Sequence, residues 1–101
     1  MFKLDPNPTF EATVQITEPG GTTSPLKVVF RHRTKSQFHE WQKRKQTDLE
    51  DALDMVASIP DLQEGTELKD FLAKLLDNYP AASLDIYLTY HRALFESRAK
   101  N

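Results

Sequence analysis

The sequence predicts an α+β fold, mainly helical, in which an N-terminal β-hairpin is followed by about four α-helices. Three observations predict it. Residues 10–17 and 26–33 alternate apolar and polar side chains, the period of two that marks a strand with one buried face. Thr34 to Gln37 and Thr47 to Glu50 both have the form of a helix capping box, in which a threonine hydroxyl and a side chain three residues on satisfy backbone N–H groups reciprocally. After residue 34 the apolar residues recur three and four apart, and Pro60 and Pro80 punctuate them. The 101 residues suit one domain, residues 1–101, made of an arm (1–8), a hairpin (10–33) and a helical part (34–98).

The arm holds Pro6 and Pro8 and reads as extended chain. In the first strand Phe10, Ala12, Val14 and Ile16 point inward; in the second, Leu26, Val28 and Phe30 do. Between them Glu18–Pro25, with Pro19-Gly20-Gly21, predicts a long flexible tip. A lone hairpin is marginal in water, so the helices have to cover its apolar face. The first helix carries Phe38 and Trp41 on one side. The second carries Leu49, Ala52, Leu53 and Val56 and is stopped by Pro60. The third, after Gly65-Thr66, carries Leu68, Phe71, Leu72, Leu75 and Leu76, and Asn78-Tyr79-Pro80 breaks it. The last runs from about Pro80 towards Arg98 with two apolar stripes. Leu84, Tyr87, Leu88, His91 and Phe95 read as the core stripe. Ile86, Tyr90 and Ala93 form a second stripe, which either packs inside the monomer or meets a partner.

Apolar residues make up 39% of the chain and charged residues 28%, a globular rather than disordered balance. Cysteine is absent, which excludes a disulfide framework, a thiol nucleophile and thiolate metal ligation. His32, His39 and His91 have no His-x-x-x-His spacing, and no serine lies in a glycine-flanked elbow, so neither a metal, a cofactor nor a catalytic centre is expected. No apolar run is long enough for a signal or a membrane span.

Charge is unevenly placed. Between Arg31 and Lys45 six cations (Arg31, Arg33, Lys35, Lys43, Arg44, Lys45) face one acid, Glu40, a net of +5. Between Asp48 and Asp70 eight acids, Asp51 and Asp54 among them, face Lys69 alone, a net of −7. These blocks either neutralise one another within a molecule or dock head-to-tail between molecules, a heterologous contact that closes into rings or runs on as spirals. The predicted partner or self-assembly surface therefore comprises Ile86, Tyr90, Ala93, Arg31, Arg33, Lys43, Arg44, Lys45, Asp51 and Asp54. The rival reading is a small nucleic-acid-binding regulator using residues 31–45, with Phe38 and Trp41 interleaved for stacking. The overall charge of −2 disfavours it.

The opening Phe2-Lys3-Leu4-Asp5-Pro6-Asn7-Pro8-Thr9-Phe10 resembles the start of the tail assembly chaperones of long, non-contractile tailed phages and their prophages. Pro25-Leu26-Lys27-Val28-Val29-Phe30-Arg31-His32-Arg33-Thr34 resembles that family's second strand and turn into helix. Asp77-Asn78-Tyr79-Pro80-Ala81-Ala82 resembles its helix break, and Arg98-Ala99-Lys100-Asn101 its ending. The resemblance implies a protein without enzymatic chemistry. It would assemble with itself, coat and solubilise the long helical tape measure protein, and help recruit tail tube subunits in the bacterial host cytoplasm. It would be absent from the mature virion. It also implies a short and a longer, frameshifted form, of which this chain would be the short one and the longer would recruit the tube protein.

Overall fold

A computed structural model describes residues 2–96. Strands β1 (Thr9–Thr17) and β2 (Thr23–Arg31) form an antiparallel hairpin in the register Thr9↔Arg31 to Thr17↔Thr23. Val14, Ile16, Val28 and Phe30 are buried, as the alternation predicts, and Thr13, Gln15 and Lys27 face water on the opposite side. The tip is shorter than the sequence suggests. Pairing begins at Thr23, so the loop is Glu18–Thr22, closed by bonds from Glu18 N to Thr22 O (2.8 Å) and from Gly21 N to Glu18 O (2.9 Å). Gly20 and Gly21 both have positive φ there, 102° and 98°, which glycine alone adopts without strain.

Helix α1 (Lys35–Gln42) and helix α2 (Asp48–Met55) start where the capping boxes place them. Thr34 accepts from Gln37 N and Thr47 from Glu50 N, and each N3 side chain returns the bond to the cap N–H. Helix α2 ends earlier than predicted. At Val56 the backbone turns extended, and Val56–Ser58 becomes a third strand, β3, antiparallel to β2 through Phe30↔Val56 and Val29↔Ser58. Val56 is β-branched and wholly buried, and pairing satisfies the free edge of β2, so the strand replaces a last helical turn.

Helices α3 (Leu68–Asn78) and α4 (Ala82–Phe95) complete the chain, giving a three-stranded antiparallel sheet followed in space by helices on its apolar face. Helix α4 lies over β1, where Thr17 N donates to Asp85 Oδ2 at 2.7 Å. Helix α2 packs on both α3 and α4. Arg98, to which the last helix was expected to extend, and the ending Arg98–Asn101 lie outside the described residues. Among the described residues no helix is long and apolar enough to cross a membrane.

For the two stripes of α4 the structure makes the choice that the sequence left open. Ile86 and Tyr90, placed by sequence either inside the monomer or on a partner surface, have no exposed surface and join the core with Ala82. Of the predicted core stripe, Leu84, Leu88 and Phe95 are exposed, while Tyr87 and His91 are half-buried and pack on Phe38. Residues two apart on a helix face nearly opposite ways, so the choice of one stripe for the core turns the other outward. Ala82 is fully buried on the same face as Ile86, and the Tyr90 hydroxyl finds a partner in the Arg31 carbonyl, which favours this face for the core.

Candidate functional site

Tyr90 is the centre of the interior. Its ring touches Phe10 (6.2 Å between centroids), Phe30 (5.2 Å), Phe38 (6.1 Å) and Trp41 (6.0 Å). Its hydroxyl donates to Arg31 O at 2.7 Å and accepts from Arg33 Nη1 at 3.0 Å. Arg33 also donates to Asp54 O at 3.2 Å and lies over the Trp41 ring, 4.6 Å from its centroid, a cation–π geometry. The Trp41 indole N–H donates to Asp54 Oδ2 at 3.0 Å, and Gln46 Nε2 donates to the same oxygen at 2.9 Å and to Asp51 Oδ1 at 2.8 Å. Burial raises the pKa of the Asp54 carboxyl. The bonds from Gln46 and Trp41 and the charges of Arg33 and Arg44 outweigh that, so it titrates below the usual carboxylate range. Burial pushes the Tyr90 phenol above its ordinary value, opposed in part by Arg33.

This cluster stitches β2, α1, α2 and α4 together. Arg33 and Asp54, two of the predicted surface residues, are thus spent within the molecule. Arg31, Lys43, Arg44, Lys45 and Ala93 are exposed, and Asp51 is half-buried. Arg31, Arg33 and Arg44 line a basic groove of about 480 Å³ with His32 and Glu40. Of the aromatics offered for base stacking, Trp41 lines this groove under Arg33 with little surface exposed, and Phe38 is buried.

Two exposed apolar features remain. Leu84 (57% exposed) and Leu88 run along the outer face of α4 towards Phe95, which is partly exposed and packs on the edge of the cluster, 5.0 Å from the Phe38 ring, and Phe2 (86%) and Leu4 (85%) stand on the N-terminal arm. Surface leucines scattered singly need no explanation, but these are grouped on one helix face and one short segment. Leu84 edges a second groove, about 280 Å³, between α2 and α4.

A family model for phage tail assembly chaperones matches residues 1–101, the whole chain. The chain belongs to the phage tail assembly chaperone family. No curated protein and no solved structure gives a significant match. For a member of this family, the exposed residues carry more interest than the aromatic cluster. Sequence reasoning missed Leu84, Leu88 and Phe95 because helical spacing places them as well in a core as on a surface. It passed over Phe2 and Leu4 as part of an arm. The available signal was their position: two large apolar residues before Pro6 and Pro8 have no element of their own to pack in.

Proposed function

We propose that the chain acts as one tail-assembly-chaperone domain that assembles with itself and binds and solubilises the tape measure protein. It would help recruit tail tube subunits through a longer form. It works in the bacterial host cytoplasm, without enzymatic chemistry, and leaves before the virion is complete. Family membership over all 101 residues carries this reading. The apolar residues left outside a filled core support it. A tape measure exposes long apolar helical stripes until the tube encloses it, and such stripes aggregate in water. Many weak contacts in a row give strong total binding through effective concentration, yet each can be displaced singly as tube subunits arrive. Arg31, Lys43, Arg44, Lys45, Ala93 and Asp51 remain candidate contact residues, joined by Leu84, Leu88 and Phe95. Ile86 and Tyr90 are withdrawn because they are buried.

The test is co-expression with a candidate tape measure protein. The helical client is expected in the soluble fraction, bound to the chaperone, and in inclusion bodies when expressed alone. A client equally soluble in both cases overturns the reading.

A further inference from the structure

The geometry points to the N-terminal arm of a second copy of this chain as the occupant of the groove between α2 and α4. The inference rests on the self-assembling chaperone reading and specifies the contact. The floor of the groove is apolar (Ala52, Met55), one wall is acidic (Asp48, Asp51), and the other is Leu84 and Tyr87. At about 280 Å³ it is slightly below the ~300–1,000 Å³ of a small-molecule pocket. It suits one or two large side chains. The arm offers Phe2-Lys3-Leu4, two exposed apolar residues around a cation. In this copy the arm bends at Leu4 and Asp5, and Lys3 Nζ donates to Asn7 Oδ1 at 2.8 Å. Drawn out on docking, it would set Phe2 and Leu4 on one side, fit to enter an apolar floor, and let the flexible stem of Lys3 exchange that exposed bond for the acidic wall. Groove and arm thus match in polarity and in charge.

In the chain itself the arm leaves the groove open: Phe2 and Leu4 are 86% and 85% exposed, and the groove is lined by α2 and α4 alone. The arm leaves the fold at Pro8, whose carbonyl accepts from His32 N at 2.9 Å, and Leu84 lies beside Asp85, whose carboxylate is bound to Thr17 N at the other end of β1. Because arm and groove are different surfaces, the contact is heterologous and propagates into a ring or an open spiral.

Sedimentation velocity on the full chain tests this with two variants, F2D/L4D in the arm and L84D in the groove. All three positions are exposed, so melting temperatures should match the unaltered chain, which guards against misfolding. Each variant alone is expected to self-associate at least tenfold more weakly. An equimolar mixture should recover a 1:1 dimer and nothing larger, because it retains a single productive pair, the arm of L84D with the groove of F2D/L4D. An unaltered chain that stays monomeric, variants that assemble normally, or a mixture that forms no dimer overturns the proposal. So does an L84D variant that assembles normally but no longer keeps the tape measure soluble, which would give the groove to the client. Client solubility separates this inference from the functional reading. A monomeric chain that still solubilises the client sinks the arm contact alone. An arm-linked assembly that leaves the client insoluble sinks the chaperone reading and leaves the contact standing.

Discussion

Tyr90 packs against four aromatic rings and bonds through its hydroxyl to both a backbone carbonyl and a guanidinium, so its two ends fail differently. Tyr90→Phe keeps the ring and strips the Arg31 carbonyl of its donor and Arg33 of an acceptor. The expected cost is about 1–3 kcal/mol by denaturant unfolding, with the fold kept. Tyr90→Asp would bury a carboxylate among the rings and is expected to unfold the chain, which circular dichroism would report. The phenol's raised pKa adds a pH signature. A group raised in the folded state lends stability below its unfolded pKa, about 10 for tyrosine, and the contribution is lost as pH rises through the folded value. The unaltered chain should therefore lose stability more steeply above about pH 10 than Tyr90→Phe does. Asp54 acts with the opposite sign. Its carboxyl is depressed, so its contribution holds above the ordinary carboxylate pKa and is lost as pH falls through the folded value. Asp54→Asn should cost stability at neutral pH and flatten the acid limb of the unfolding profile. Parallel acid limbs in the two proteins would show that the Trp41 and Gln46 bonds do not depend on the charge.

At the scale of elements, α4 carries the sharpest contrast, because its two apolar stripes do different work. Ile86→Ala empties core volume and should cost about 2–5 kcal/mol, while the assembly of the folded fraction stays unchanged. Leu88→Lys, on the outer face, should leave stability within about 0.5 kcal/mol. A large destabilisation there would mean that the outer stripe is covered within the monomer. The hairpin, both capping boxes and the helix break at Pro80 were legible because each is a local code: period two, a threonine with its reciprocal partner, a residue that cannot donate. The inward face of α4 was not legible, since periodicity finds stripes without saying which one meets the sheet. Nor was β3. Val56 continues the apolar pattern of α2, and its conversion to strand depends on the unpaired edge of β2 some 26 residues earlier. The exposed stripe and the arm residues, where the candidate site now rests, were hidden for the same reason: exposure is a property of packing.

Across the whole molecule, the proposed self-assembly raises the question of what would hold one copy to the next. The opposed charge blocks suggest an electrostatic answer, but the structure uses part of them internally: Arg33 and Arg44 act on Asp54, and Lys43 pairs with Glu40 at 3.0 Å on the open surface, where such a pair is worth little. The arm and groove suggest an apolar contact with a single screened ion pair around Lys3. Salt distinguishes the two. One exposed pair contributes about 0.2–1 kcal/mol, so raising the salt from about 0.05 M to 0.5 M should weaken self-association by no more than about fivefold, and sulfate should strengthen it. Docking of the basic block on the acidic block would engage several charges at once and fall much further over that range, as would binding to nucleic acid, whose affinity drops as a steep power of salt. A self-association constant that collapses with salt would return the assembly surface to Arg31, Lys43, Arg44 and Lys45. One that holds would leave Phe2, Leu4 and Leu84 as the residues through which copies join.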